Sequence, residues 1–252
     1  MIETDAFRGK RAVITGGMGF IGSNLAIALT FLGADVTIAD AMIPGYGGNL
    51  FNIDPVKDFV RVNFCDIRDP NAMNYLVKGQ DYVFHLAGQV DHVLSLTDPF
   101  PDIDMNIKGT AVVMEALKHH NPGARVIYTG TRGQYGPAAS LPVSEDAPTY
   151  PKGLHEISNL TAEKIVQMYN DAHHIPGVLL RLTNIYGPRS QMQHPRYGVV
   201  NWFVRLALED GMIKVFGDGQ IKRLVGWQPR VALADGLAQT AAFYRQHRAH
   251  YW

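Results

Sequence analysis

One cysteine in 252 residues, Cys65, leaves no partner for an internal disulfide, which excludes the stapled scaffolds of small secreted domains. Net charge is equally scarce. Lys plus Arg number 23 and Asp plus Glu number 23, and a chain without a net field is not drawn onto phosphate backbones or acidic lipid surfaces. No nucleic-acid partner and no membrane partner are expected. No apolar run approaches the roughly 20 residues of a membrane-spanning helix, and the opening MIETDAFRGK is polar and of mixed charge, unlike a secretory leader. A reducing, cytoplasmic setting is the expectation.

What is present is 46% apolar residues, enough for a sizeable core in one α/β domain or a large domain with a small appendage. Short β-branched runs alternate with stretches of helical period, the pattern of a parallel sheet covered on both faces. Strands are predicted at 11–15, 35–39, 59–64, 82–86, 125–129 and 177–182. Helices are predicted at 19–32, 71–76, 104–119, 156–174, 199–208 and 233–247. Two loops rich in Gly and Pro, 42–55 and 136–153, follow strands and are candidate walls of a ligand site.

The first strand, RAVIT, runs into GGMGFIG, which places Gly16, Gly19 and Gly22 at the mouth of a helix with Phe20 and Ile21 on its first turn. Such spacing suits a pyrophosphate: one glycine makes the tight turn, one lets backbone approach the phosphates, and one lets helix and strand pack closely. The second strand ends on Asp40, where a carboxylate accepts the adenosine ribose hydroxyls and repels a 2′-phosphate, favouring NAD over NADP. Asp66 and Ile67 after the third strand are placed to frame adenine, and Leu86, Ala87 and Gly88 after the fourth to let backbone pass the pyrophosphate. This is an α/β chain with a Rossmann-type doubly wound parallel sheet. Residues 1–183 are read as the NAD-binding domain and 184–252 as a small, truncated C-terminal substrate lobe. The adjacent histidine pairs 119–120 and 173–174 sit at helix ends, complementing the macrodipole; neighbouring helical residues do not face one site, so no metal site is expected.

Together TGGMGFIG, Asp40, DIRD, HLAGQV, NIKGT, YTGTRGQYG and LRLTNIYGPR resemble the extended short-chain dehydrogenase/reductase family, and within it the NAD-dependent nucleotide-sugar epimerases and dehydratases. The resemblance runs from about residue 10 to 217. It implies hydride transfer between a sugar carbon and NAD, with a Tyr-x-x-x-Lys motif handling the hydroxyl proton and a Ser or Thr hydroxyl in support. Thr131 falls on the Ser/Thr position. His155 stands where the family has tyrosine, and Asn159 where it has lysine. Neutral imidazole takes a proton near pH 7 unaided, so His155 is a chemically possible base, but its cation is destabilised beside oxidised nicotinamide and Asn159 supplies hydrogen bonds but no charge; weak or altered catalysis is the expectation. Tyr150 and Lys152 lie just upstream, at a spacing that does not reproduce the motif.

Arg132 and Gly133 occupy the positions where dehydratases carry Asp and Glu; arginine neither gives nor takes protons at working pH, which disfavours elimination of water. The segment GDGQ at 217–220 is followed almost at once by VGWQP at 225–229, so the lobe is read as shortened. The resemblance implies a nucleotide-sugar substrate met by Gln89, Arg132, Asn184, Arg189, Asn201 and Arg223. It also implies a homodimer formed through the helices bearing Ile107, Ala111, Met114, Ile165 and Met168. Two readings follow: an NAD-dependent nucleotide-sugar epimerase or related oxidoreductase, or an NAD-binding scaffold or regulatory subunit that retains the fold without the relay.

Overall fold

A computed structural model of the chain describes residues 5–138, 140–212 and 231–252; Arg223 and the 217–229 stretch lie outside the described residues. Six parallel strands form one sheet: β1 (Arg11–Thr15), β2 (Asp35–Asp40), β3 (Arg61–Phe64), β4 (Tyr82–His85), β5 (Arg125–Thr131) and β6 (Gly177–Leu182). Their order is β3-β2-β1-β4-β5-β6. Direction of growth reverses between β1 and β4, and in open parallel sheets the crevice beyond the strand ends at that switch is where ligands sit.

Strand β1 shows how sequence sets the layers. Successive side chains alternate faces: Ala12 and Ile14 join one core with Ala26, Leu29, Val36 and Ile38, while Val13 joins the opposite core with Val83, Val113, Leu117 and Val166. Burial on both faces is why β1 and β2 are nearly continuous apolar runs. Helix α1 (Phe20–Phe31) covers the first face. Helices α2 (Pro70–Leu76), α4 (Thr110–His120) and α5 (Leu154–His173) cover the second, and the one-turn α3 (Leu94–Thr97) lies between α2 and α4 in the chain. A third cluster of Met192, Val204, Tyr244 and Tyr251 joins α6 (Val199–Leu208) to α7 (Leu233–His247).

Four departures from the sequence reading matter. The third strand starts at Arg61 because Phe59 closes a turn onto the Val56 carbonyl at 2.9 Å. The 42–55 loop contains a 3-10 helix, Leu50–Val56, capped by Asn49 Oδ1, which accepts the Phe51 amide at 3.0 Å. The helix read at 104–119 begins earlier and is wound as a π-helix over Asp102–Gly109 before continuing as α4. That wide turn draws Asp102 and Asn106 inside, both buried, and π segments of this kind recur at functional sites. Helix α5 begins two positions sooner than read, at Leu154, which places His155 in its first turn.

Helix α5 is locked to the sheet by charge. Arg181 on β6 donates through Nη2 and Nε to the two oxygens of buried Glu163 at 2.6 and 2.8 Å, a bidentate pairing that fixes orientation as well as distance. Of the residues read as a pairing face, Met114 is fully buried within the chain's own core, whereas Met168 is 47% exposed. No described helix is long and apolar enough to cross a membrane.

Candidate active site

The crevice at the β1/β4 switch is a cavity of about 380 Å³. Its floor is the turn from β1 into α1. Gly16 has φ +70, and a Cβ there would lie 2.9 Å from the Ala87 backbone. At Gly22 a Cβ would lie 2.3 Å from the Gly16 carbonyl oxygen. Gly19 differs: a Cβ would meet only the Gly16 oxygen, at 3.3 Å, a milder crowding than at Gly16 or Gly22, and it lines the cavity. Helix α1 starts beside it with no side-chain cap, leaving first-turn amides for an anion.

Asp40 stands at the next corner. Its Oδ2 accepts the Met18 amide and its Oδ1 the Met42 amide, each at 2.9 Å, so the carboxylate is aimed while each oxygen keeps a lone pair for a diol. Asp66 is gripped by Arg68 through Nε at 2.9 Å and Nη2 at 2.6 Å; that hydrogen-bonded guanidinium holds its carboxyl below the usual range. Ile67 is buried beside it, and Leu86, Ala87 and Gly88 pass along the opposite wall. A crowded glycine turn, an uncapped helix end and an oriented carboxylate together fit a dinucleotide with an unmodified ribose.

Behind this wall His85 ties two elements. Thr110 Oγ1 donates to the Asn106 carbonyl at 2.6 Å and so accepts from His85 Nε2 at 3.0 Å. Thr15 Oγ1 accepts the Leu86 and Ala87 amides at 3.1 and 3.2 Å and gives its proton to His85 Nδ1 at 2.9 Å. Full burial pushes the imidazole pKa down to about 4. In the unfolded chain it takes a proton as pH falls through about 6.5, whereas the folded chain resists until about 4. Stability is therefore complete above pH 6.5 and declines towards pH 4, by about 3 kcal/mol in total. Thermal melts between pH 7 and pH 4 are expected to show this decline, and His85→Gln is expected to flatten it; an equal slope in the variant would place the effect elsewhere.

The far end of the cavity gathers Thr131, His155 and Asn159. Thr131 Oγ1 accepts the Gly133 amide at 3.1 Å, which leaves its proton for a ligand oxygen. Asn159 Nδ2 donates to the His155 carbonyl at 2.8 Å, and Tyr128 donates to the Asn159 carbonyl at 3.2 Å. Burial pushes the Tyr128 phenol up, with Glu163 adding to it. His155 is 5% exposed, and its ring lies 4.2 Å from that of His92, tilted by 56°. His92 Nδ1 is 3.0 Å from Glu156 Oε1, and burial first, then His155, pushes the His92 pKa down.

The residues read as substrate contacts divide. Asn184 and Asn201 line the cavity; Asn201 accepts the Gly187 amide through Oδ1 at 2.9 Å, while its buried Nδ2 has no partner among the described residues. Gln89 lines it too, but its amide is committed internally, to the backbone of Asp91 and to Asp102 Oδ2 at 2.9 Å. Arg189 does not line the cavity. Its guanidinium donates to the Asn52 carbonyl at 3.1 Å and to Asn24 Oδ1 at 2.9 Å and lies over the Phe243 ring, so it ties α1 to α7. Arg132 is exposed on the turn after β5, and Tyr150, 65% exposed, stands outside the cavity. Sequence reasoning missed Tyr46 and Tyr197, which line it, and the buried Asp102. The acidic DIDMN stretch carried the only signal for Asp102, and it reads as an ordinary solvated helix start.

Comparison with known proteins follows the same lines. Residues 12–226 match the NAD dependent epimerase/dehydratase family. A UDP-glucose 4-epimerase of Mycolicibacterium smegmatis is 32% identical over 216 residues, covering 84% of this chain and 68% of that protein. A UDP-N-acetylglucosamine 4-epimerase from Methanobrevibacter ruminantium, solved in complex with UDP-N-acetylmuramic acid, superposes with a TM-score of 0.77 at 27% identity, over 84% of this chain and 67% of the other. An epimerase from Methanothermobacter thermautotrophicus shares the fold, with a TM-score of 0.88 at 21% identity, over 99% of this chain and 96% of the other. With its glycine turn, its aimed Asp40 and a match spanning most of its length, the chain belongs to the NAD dependent epimerase/dehydratase family of enzymes.

Proposed function

We propose that this protein is an NAD-dependent nucleotide-sugar epimerase, or a related oxidoreductase, acting by reversible hydride transfer at one sugar carbon. The observation that carries the reading is the convergence of Thr131, His155 and Asn159 on the cavity that also holds the glycine turn and Asp40. The 4-epimerase names of the Mycolicibacterium and Methanobrevibacter relatives support the substrate class.

Gly16, Gly19, Gly22 and Asp40 would hold NAD, which supplies a hydride acceptor when bound. Thr131 donates a hydrogen bond to the reacting oxygen, His155 takes the hydroxyl proton, and Asn159 fixes the helix turn on which His155 sits. Asn201 Nδ2, a buried donor without a partner among the described residues, is suited to a substrate oxygen, since an unpaired buried donor costs about 1–3 kcal/mol until a ligand meets it. With arginine at position 132 and glycine at 133, the pair of acid and base needed for dehydration is lacking there, which favours epimerisation. A homodimer through α4 and α5 and a cytoplasmic setting complete the proposal.

The test is a panel of UDP-, dTDP- and CDP-hexoses incubated with NAD-loaded protein and resolved by chromatography. Conversion of one hexose into its epimer is expected. Tight NAD binding with no conversion of any of them would favour the scaffold reading instead.

A further inference from the structure

Asp102 is a carboxylate with no solvent exposure. Gln89 Nε2 donates to its Oδ2 at 2.9 Å and Asn106 Nδ2 to its Oδ1 at 3.3 Å, while the Ser158 hydroxyl lies 3.2 Å from Oδ1 and has the His155 carbonyl as its nearer acceptor at 2.9 Å. All three groups are neutral. Among the described residues no lysine or arginine pairs with it, and a buried anion without a cation is costly. Among the described residues the one side chain at ion-pair distance that can become cationic is His155, whose Nδ1 lies 3.6 Å from Asp102 Oδ1.

His155 carries the complementary deficit. Its Nδ1 is buried with no hydrogen-bond partner among the described residues, because 3.6 Å is too long for a bond. Catalytic contacts of this kind are often long before ligand binding and tighten with it. With Nδ1 turned to Asp102, Nε2 is the nitrogen left to the cavity that His155 lines.

We propose that Asp102 is a positioning residue for His155: it holds the imidazole as the Nδ1–H tautomer, keeps Nε2 free to accept the substrate proton, and balances the imidazolium that results. The inference rests on the reading of His155 as proton carrier. In the oxidising step the substrate O–H bond breaks and an N–H bond forms at Nε2, while the C–H electron pair leaves as hydride to oxidised NAD and a carbonyl remains. The reverse step returns proton and hydride to the carbonyl.

The charge logic of the Tyr-x-x-x-Lys motif is thereby inverted. A phenol is anionic when it is the base and needs a cation nearby; an imidazole is cationic once protonated and needs an anion. Asn159 in the lysine position and a buried carboxylate beside the base are the two halves of that exchange. Beyond Asp102, the titratable groups around His155 are His92 on the loop before α3 and Glu156 on α5, paired with each other.

The test is nitrogen-15 NMR of histidine-labelled protein at mildly alkaline pH without cofactor, with the His155 signals assigned by their loss in His155→Gln. Wild-type protein is expected to show Nδ1 protonated and Nε2 bare. Asp102→Asn is expected to move the proton towards Nε2 and to lower kcat at least about 100-fold, with KM and NAD affinity held within about twofold. An Nε2–H tautomer in the wild type overturns the proposal, and so does an unchanged tautomer in Asp102→Asn. The wild-type spectrum decides even if the variant fails to fold. Because the spectrum needs no turnover, a wild type that converts no sugar yet shows the Nδ1–H tautomer would count against the proposed function and not against the Asp102–His155 pairing.

Discussion

Replacing His155 with alanine is expected to lower kcat by about 10²- to 10⁴-fold, the usual contribution of a positioned acid or base, and to leave NAD affinity unchanged. The asymmetry follows from position. His155 lines the cavity at the Thr131 end, in the first turn of α5, whereas the residues suited to the pyrophosphate and ribose belong to the β1–α1 turn and to β2. The fold should survive, because α5 is held by the Glu163–Arg181 pairing and by Val166 and Tyr169 in the core, none of which involves the His155 ring. Steady-state kinetics beside an NAD titration checks both halves, and unchanged turnover would remove His155 from the mechanism.

The glycine turn should respond in the opposite manner, and its members should respond differently from one another. In Gly22→Ala the new carbon would sit 2.3 Å from the Gly16 carbonyl oxygen and 2.7 Å from the Gly17 Cα. Those atoms are backbone and have no rotamer to escape into. Helix α1 must move off β1, which costs about 1–3 kcal/mol by overpacking and lowers Tm by roughly 2–4 °C for each kcal/mol in a domain of this size. NAD affinity should fall by more than about 100-fold, near 3 kcal/mol. In Gly19→Ala the carbon meets only one protein atom, at 3.3 Å, so Tm should fall less than in Gly22→Ala while affinity falls comparably. Differential scanning fluorimetry with calorimetric titration separates the two. Equal melting points for both variants would contradict the packing argument, and undiminished affinity in Gly19→Ala would contradict the placement of the pyrophosphate.

The parts legible in sequence were those governed by local rules. Alternating burial on both faces of β1 and β2 makes an apolar run, and the run is visible without a structure. A glycine spacing that exists because backbone crowds backbone is equally plain, as is Asp40 at the end of its strand. Residues whose role depends on distant chain were not legible. Arg189 reads as a free cation in TNIYGPR, but α7 arrives with Phe243 and the Leu50–Val56 turn arrives with Asn52, so its guanidinium becomes a brace. Asp102 lies just ahead of the helix read at 104–119 and carries no motif of its own, and only the π-wound turn brings it into the interior beside His155. Gln89 reads as a ligand contact, and its amide is spent on holding Asp102 and the following backbone.

Calorimetric titration of the purified chain with NAD tests the account most directly. One site per chain is predicted, with NADP bound at least about tenfold more weakly because Asp40 repels the 2′-phosphate. Absence of binding heat with both the oxidised and the reduced dinucleotide would contradict the account.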